Sequence, residues 1–445
     1  MYFYEAKDAS AQNMISLQTF AKDVSQQFHV KKTLKNRNFK DGDKITFTLK
    51  RKTDGAPMPS QTTKTISPNS SENTNTKDIY FDAVKYGYND IGKTYTYEVT
   101  ETAIIAGVKN DSKTHQIVVK VGVNNKGAIT ASVDYKDDGV TNNNGYNDFE
   151  NTYVPTGGIE LEFKKNITGR KFRSSDQFKF KIEAITSGAP MPATVEEIVK
   201  PKAGTSTCTF YFDEIKFGQS HAGKSYQYKV TETFSQTNDT DGTLVKDTTS
   251  RYATVKVGKD DGSGTLTTSV AYSSVQSYVN GNSGFTNEFY ISKSVKFTKQ
   301  LRGRKFEEGD RFTFTLKPIT ANAPKNPGSM NGSLNGGKNK GQSEATVSFP
   351  PISFDSSHAG KTYEYQVIET DAKGNNTNPT SETLTVYLKP YYDTNGTLKV
   401  QETWKGNDAV LVNDVDTTVE LEFTKSLLGR NFKSGETFTF TLVAN

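Results

Sequence analysis

Polar residues of three kinds interrupt rows of apolar residues in this sequence, at positions where the alternation of a β-strand should turn the side chain toward a core. One such strand presents Tyr226, Tyr228 and Val230 on one face, and the next residue on that face is Glu232. Burying a carboxylate costs free energy unless another group meets it. The pattern occurs three times and supplies a Lys, a Glu and an Asn in that order each time: Lys32, Glu101 and Asn151; Lys165, Glu232 and Asn287; Lys299, Glu369 and Asn413.

These three residue types could together form a covalent bond. A Lys amine that burial has neutralised is a nucleophile, and an Asn carboxamide can accept its attack and release ammonia. A Glu between them could polarise the carboxamide carbonyl and transfer protons. The alternative is a buried polar network in which Lys and Glu form an ion pair and Asn is an accessory. The repetition of the same residues in the same order favours the cross-link.

Internal repeats put these residues on corresponding strands. The Lys lies in a block that occurs four times, as VKKTLKNRNFKDGDKITFTL, FKKNITGRKFRSSDQFKFKI, FTKQLRGRKFEEGDRFTFTL and FTKSLLGRNFKSGETFTFTL. The Glu ends the segments KTYTYEVTE, KSYQYKVTE and KTYEYQVIE, and the Asn lies in FENTY, FTNEF and LVNDV. Successive Lys residues are 165−32=133 and 299−165=134 residues apart. Each repeat is therefore a domain and not a solenoid unit.

Each repeat contains short alternating segments separated by Gly, Asn and Asp turns, without a helical periodicity of useful length. This pattern predicts an all-β protein of tandem β-sandwich domains. We predict domains at 27–154, 155–290 and 291–416. Residues 1–26 are interpreted as a remnant of a preceding domain, and 417–445 as the first hairpin of a truncated fourth repeat. Lys425 in that repeat is followed by no counterpart of the Glu and Asn segments and should remain an ordinary amine.

Composition argues against several other classes of protein. The 445 residues include 55 basic and 50 acidic side chains without a basic patch, so nucleic-acid binding is not expected. One Cys excludes a disulfide within the chain, and no apolar stretch is long enough to span a membrane. The four His residues are scattered, and metal-ligand spacing, a nucleophile elbow and a phosphate loop are missing. We therefore expect no cofactor, no metal and no conventional enzyme.

The repeated blocks resemble the isopeptide-linkage domain of Gram-positive major pilins. The shared pattern is K-x-L-x-G-R-x-F, then G-[DE]-x-F-x-F-x-L, Y-x-Y-x-V-x-E and F-x-N, and it extends from about residue 27. The resemblance implies an immunoglobulin-like sandwich in which a Lys on the first strand bonds to an Asn on the last, with a Glu as catalyst. The third unit departs from it, because LVND replaces the usual F-T-N. Asn36 also replaces the Gly of G-R in the first unit.

The resemblance implies a structural protein of the Gram-positive cell wall or cell surface, either a pilin-like shaft or an adhesin stalk. The export and anchoring signals would then belong to a longer parent protein. Other pilin or surface-protein subunits and a sortase are the expected partners. The alternative function is a ligand-binding adhesin that presents its loops to a host or matrix ligand, which no motif identifies.

Overall fold

The structure is a computed structural model that describes residues 22–236, 239–240, 242–277, 280–374, 377–415 and 420–443. These residues form three β domains in tandem, which confirms the predicted fold class. Within these ranges no helix is long and apolar enough to cross a membrane. The helices found there are short 3-10 turns at Ser70–Glu72, Tyr88–Asp90, Gln219–His221, Gly336–Asn339, Ser356–His358 and Lys405–Asn407.

Domain 1 has two facing sheets and a separate strand pair. Its strands are β1 (Val24–Gln26), β2 (His29–Lys35), β3 (Lys44–Arg51), β4 (Thr63–Ile66), β5 (Thr76–Tyr80), β6 (Val84–Tyr86), β7 (Thr94–Ile104), β8 (Val108–Lys109), β9 (His115–Val123), β10 (Ile129–Asp137), β11 (Val140–Asn142) and β12 (Asn147–Tyr153). The sheets have the orders β11-β10-β9-β7-β3-β4 and β5-β2-β12-β8, and β1 pairs with β6. The rings of Phe47 on β3 and Phe149 on β12 meet with centroids 5.2 Å apart. The core therefore lies between the sheets.

Domain 2 repeats this arrangement. Its strands are β13 (Thr156–Ile159), β14 (Glu162–Thr168), β15 (Gln177–Ala184), β16 (Glu196–Val199), β17 (Thr207–Tyr211), β18 (Ile215–Gly218), β19 (Ser225–Gln236), β20 (Thr243–Val245), β21 (Arg251–Val257), β22 (Thr268–Ser273) and β23 (Gly284–Lys293). The sheets have the orders β16-β15-β19-β21-β22 and β17-β14-β23-β20, and β13 pairs with β18. Phe180 and Phe285 connect the two layers, with ring centroids 5.0 Å apart.

Domain 3 has the same two layers. Its strands are β24 (Lys296–Arg302), β25 (Arg311–Pro318), β26 (Asn331–Asn335), β27 (Glu344–Ser348), β28 (Ile352–Phe354), β29 (Tyr363–Lys373), β30 (Thr383–Tyr392), β31 (Leu398–Trp404) and β32 (Val410–Asp414). The sheets have the orders β26-β25-β29-β30-β31 and β27-β24-β32. Phe297 and Phe314 pack across the layers at 4.9 Å between ring centroids.

The Lys strand and the Asn strand are parallel neighbours in every domain: β2 with β12, β14 with β23, and β24 with β32. In domain 2 Lys165 lies opposite Phe285, and Asn287 lies two residues further along, opposite Ile167. The other two domains have the same register. Because side chains alternate with a period of two, this register turns the Lys and the Asn toward the same face.

The Glu strand lies in the opposite sheet, and each Glu stands directly opposite a Phe of its neighbour. Glu101 pairs with Phe47, Glu232 with Phe180 and Glu369 with Phe314. In domains 2 and 3 the register shifts by one residue immediately after the Glu. This is the geometry of a β-bulge, which locally bends the bulged strand and increases its twist.

Neighbouring domains contact each other through one hairpin of the following domain, which is formed by β21 and β22 in domain 2 and by β30 and β31 in domain 3. The Tyr153 hydroxyl of domain 1 donates to Asp260 Oδ1 of domain 2 at 2.7 Å and accepts from the Gly264 N–H at 3.1 Å. At the next junction the Leu398 N–H donates to the carbonyl oxygen of Gly169 at 2.8 Å. Strand β23 also continues from domain 2 to pair with β28 of domain 3.

The structure describes only part of the two terminal segments. The predicted remnant at 1–26 falls mostly outside the described residues, and Val24–Gln26 pairs with β6 of domain 1. Residues 420–443 contain no strand, although the rings of Phe423 and Phe440 lie 4.5 Å apart across a turn. The assignment of this segment to a fourth repeat stays a prediction.

Candidate cross-linking sites

The residues that the sequence singled out in domain 1 lie together between the sheets. Lys32 Nζ is 2.8 Å from Glu101 Oε2, and Asn151 Nδ2 is 2.5 Å from Glu101 Oε1. Asn151 Oδ1 faces away from the Glu and accepts the main-chain N–H of Asp111 at 2.8 Å. One carboxylate thus contacts both the amine and the amide nitrogen.

Domain 2 has the same arrangement with other residues. Lys165 Nζ is 2.9 Å from Glu232 Oε2, and Asn287 Nδ2 is 2.7 Å from Glu232 Oε1. Asn287 Oδ1 accepts the main-chain N–H of Asp247 at 2.8 Å.

Domain 3 brings its three residues together in a different orientation. Asn413 Nδ2 is 2.9 Å from Glu369 Oε2, and Lys299 Nζ is 3.3 Å from Glu369 Oε1. Here Lys299 Nζ donates directly to Asn413 Oδ1. The departure of LVND from the expected pattern therefore does not prevent the Asn from reaching the Lys and the Glu.

Burial lowers the pKa of the Lys amine in each of the three sites. Lys32, Lys165 and Lys299 have 0% exposure, and the ring of Phe178 lies 4.7 Å from Lys165 Nζ. Desolvation lowers the pKa of Lys32 and of Lys165, against the opposing effect of the neighbouring Glu. For Lys299 the same cause lowers the pKa to about 8. These amines therefore lose a proton more easily than the amine of an exposed Lys does, and the neutral amine is the nucleophilic form.

Burial acts in the opposite direction on the Glu of domain 2. Desolvation raises the pKa of Glu232, although Lys165 and Asn287 partly oppose this effect. The charged forms of Lys165 and Glu232 are therefore both disfavoured, which favours transfer of a proton from the amine to the carboxylate.

The contacts of the carboxamide differ from the arrangement expected from the sequence, in which the Glu polarises the carbonyl. In all three sites the Glu contacts the amide nitrogen, which would be the leaving group in the cross-linking reaction. In domains 1 and 2 the carbonyl oxygen faces a main-chain N–H instead. A main-chain N–H can only donate, so the network itself determines which carboxamide atom points toward it. The Glu is thus placed to exchange protons with two nitrogens.

Sequence reasoning missed Asp111 and Asp247. Each precedes a strand of the Glu sheet and is followed four residues later by a basic or imidazole side chain, His115 and Arg251 respectively. This spacing was the available signal, but the group that contacts the Asn belongs to the main chain and has no signature in the sequence. Among the described residues, no group of three or more His, Cys, Asp or Glu side chains could hold a metal ion.

Comparisons with known proteins identify a family that matches all three domains. The model of the FctA family, described as a Spy0128-like isopeptide containing domain, matches residues 28–154, 161–290 and 295–416. No curated protein matches the chain.

Solved structures of pilins are also similar. The major pilin from Streptococcus pyogenes is 20% identical over 59% of this chain and 96% of its own, with a TM-score of 0.26. A streptococcal ancillary pilin is 11% identical over 88% of this chain and 100% of its own, with a TM-score of 0.19. BcpA, the major pilin subunit of Bacillus cereus, is 11% identical over 88% of this chain and 100% of its own, with a TM-score of 0.18.

Assignment to a family follows from the three family matches, which together include most of the chain and coincide with the three buried Lys, Glu and Asn clusters. The chain belongs to the FctA family of Spy0128-like isopeptide containing domains and carries three of these domains in tandem.

Proposed function

We propose that each domain forms an amide bond between its Lys and its Asn, and that the cross-linked array is a structural element of a cell surface. The observation that carries the proposal is the recurrence of one buried contact set in three separate domains. In each of them a single Glu carboxylate contacts both the Lys amine and the Asn amide nitrogen. Ordinary ion-pair networks do not require an Asn at the same place every time.

The reaction is a single-turnover acyl transfer. Lys Nζ passes a proton to the Glu carboxylate, and the neutral amine attacks Cγ of the Asn. The Nζ–Cγ bond forms and the Cγ–Nδ2 bond breaks. The Glu returns a proton to Nδ2, which leaves as ammonia, and takes up a second proton from Nζ. In the proposed roles Glu101, Glu232 and Glu369 are catalytic, and the linked pairs are Lys32–Asn151, Lys165–Asn287 and Lys299–Asn413.

The bond would stabilise each domain by restricting its unfolded chain. The linked residues are 151−32=119, 287−165=122 and 413−299=114 positions apart. Closing a loop of this length removes about 5 kcal/mol of unfolded-state entropy on the loop-closure estimate. Unlike a disulfide, the amide cannot be reduced. The buried amine and carboxylate would also no longer need to be kept as an ion pair.

A shaft or stalk is the function that such domains suit best. Relatives of known structure are pilins, so we place this chain at the surface of a Gram-positive bacterium, where other pilin subunits and a sortase would be its partners. We further propose domain boundaries at 27–154, 155–290 and 291–416. The segment 417–445 is then the start of a further repeat.

Peptide mapping tests the proposed bonds directly. The chain is denatured, digested with a protease and analysed by tandem mass spectrometry. We expect three branched peptides, each joining one Lys to its Asn and each lacking one ammonia. Lys425 is the matched control and should appear in a linear peptide. Recovery of all three Lys and all three Asn residues in linear, unmodified peptides would exclude the reaction.

A further inference from the structure

The carbonyl oxygen of the reacting Asn is where negative charge develops when an amine attacks the carboxamide. Donors aimed at such an oxygen stabilise the tetrahedral intermediate. In domains 1 and 2 that oxygen already accepts a hydrogen bond of 2.8 Å, from the N–H of Asp111 and from the N–H of Asp247. The Glu carboxylate of each domain contacts the amine and the amide nitrogen instead, and without a proton it cannot donate to this oxygen.

The carboxylate of the same Asp holds its loop against the strand that carries the Asn. Asp247 Oδ2 accepts the N–H of Thr286 at 2.9 Å, and Thr286 is the residue before Asn287. Asp247 Oδ1 accepts the N–H of Thr249 at 2.8 Å, and Arg251 Nη2 donates to Oδ2 at 3.0 Å. One side chain thus fixes both the donor N–H and the strand of the acceptor.

Domain 1 builds the same clamp with Asp111. Its Oδ2 accepts the N–H of Glu150, the residue before Asn151, at 2.6 Å, and its Oδ1 accepts the N–H of Lys113 at 2.8 Å. His115 takes the place of Arg251, with Nε2 lying 3.7 Å from Asp111 Oδ2.

The described residues of domain 3 form no such clamp, and the carboxamide there is oriented differently. Leu384 pairs with Val367 as Arg251 pairs with Val230 in domain 2, so Thr380 occupies the position of Asp247. The Thr380 N–H donates to Glu369 Oε2 at 2.8 Å and not to the Asn. The carbonyl oxygen of Asn413 then accepts from the amine of Lys299.

We propose that the main-chain N–H groups of Asp111 and Asp247 are oxyanion donors for cross-linking in domains 1 and 2, and that the two Asp side chains are positioning groups. The inference rests on the proposed cross-linking function. As Nζ bonds to Cγ, the carbonyl π electrons move to Oδ1, where the N–H meets the charge. They return to re-form the carbonyl as the Cγ–Nδ2 bond breaks and ammonia leaves with a proton from the Glu.

The test compares three reactions within one full-length chain. Unlinked chain is purified in denaturant from inclusion bodies, its unlinked mass is verified, and refolding is started by dilution. Aliquots are returned to denaturant at timed intervals, and the branched peptide of each domain is quantified by mass spectrometry. The variants are Asp247→Ala and Asp247→Asn, and the bonds of domains 1 and 3 in the same molecules are the internal controls.

Asp247→Ala should slow formation of the domain 2 bond by at least about tenfold. The loss of rate should approach the ~10²–10³-fold loss that removal of an oxyanion donor causes. Asp247→Asn should recover part of the rate, because its side-chain oxygen can still accept the Thr286 N–H. Wild-type rates in domain 2 for both variants would overturn the inference and leave the cross-linking function intact. A wild-type chain that links none of its domains would instead refute the proposed function. If limited proteolysis shows that Asp247→Ala leaves domain 2 unfolded, the rate of bond formation in the Asp247→Asn variant alone tests the inference.

Discussion

Glu232 illustrates what a single position contributes to this protein. Its side chain continues the apolar row of Tyr226, Tyr228 and Val230, and it is buried. The alternation of the strand was sufficient to predict its inward orientation, and the repeats were sufficient to predict that Lys165 and Asn287 belong with it. Sequence could not predict which atom of the carboxamide the Glu contacts, because that depends on the N–H of a loop residue, Asp247.

Replacement of Glu232 by Ala should prevent cross-linking in domain 2 alone. Without the carboxylate, Lys165 has no group to take its proton and Asn287 has none to protonate its leaving nitrogen. The intact chain should retain one ammonia relative to the wild type. Domain 2 should lose about 5 kcal/mol of stability from the missing loop closure, measured as earlier thermal unfolding and faster proteolysis. Glu160→Ala, at an exposed position of the same domain, is the control and should change neither the mass nor the unfolding.

The amine of Lys299 gives a pH dependence to the third bond. Its pKa lies at about 8 because burial disfavours the charged form. The fraction of neutral amine rises as the pH increases through that value and levels off about one pH unit above it, so the rate of bond formation during refolding should rise and then level off. Refolding at a series of pH values, with folding followed separately by circular dichroism, measures this. A rate that falls with increasing pH while folding is unaffected would contradict the assignment of Lys299 as nucleophile.

At the scale of strands, the register between the first and last strand is what brings Lys and Asn together. The strands themselves, their tandem repetition and their inward faces were predictable from alternation and turn residues. The parallel pairing of β14 with β23 could not be predicted in this way, because the paired residues are more than 100 positions apart and leave no local pattern in the sequence. The bulge that follows Glu232 could not be predicted either, since the apolar residues around it keep a period of two in the sequence.

A glycine at the end of the Lys strand permits the close approach of these two strands. Gly169 has φ +78, and a Cβ there would lie 2.4 Å from the main-chain oxygen of Phe289. Asn36 occupies the corresponding place in domain 1 with φ 70, as expected for a residue that tolerates this conformation, and its Nδ2 donates to the carbonyl oxygen of Tyr153 at 3.1 Å.

Gly169→Ala should therefore destabilise domain 2 and slow its cross-link. The unfavourable φ alone costs about 1–2 kcal/mol, and the contact with Phe289 would push β14 and β23 apart. Gly188→Ala is the control, since Gly188 has φ +71 but no neighbouring atom within 4 Å of an added Cβ. Thermal unfolding and the refolding assay should show the larger loss for Gly169→Ala. Equal effects of the two substitutions would mean that the strand contact is unimportant.

At the scale of the whole molecule, the proposed cross-links would determine the path of a pulling force. A bond between the first and last strands would carry the load from one domain to the next, and the residues between the linked Lys and Asn would bear none. The junctions add direct contacts, such as Tyr153 with Asp260, where burial and that carboxylate raise the pKa of the Tyr153 hydroxyl to about 12. An array of this kind would resist extension without a reducible bond.

Single-molecule stretching should show this directly. Pulled from its ends, the wild-type chain should release none of the 118, 121 or 113 residues that lie between the linked Lys and Asn of the three domains. The Glu232→Ala variant should add one unfolding step, with the length of domain 2. Unfolding steps of full domain length in the wild type would show that the load does not pass through the proposed bonds.

The intact mass of the full chain under denaturing conditions addresses the cross-linking chemistry most directly. Because each bond expels one ammonia and adds nothing, the natively folded protein should be lighter than its sequence by three ammonia molecules, and chain purified unlinked in denaturant should have the unmodified mass. A natively folded protein that retains the full sequence mass would contradict the proposed reaction in all three domains.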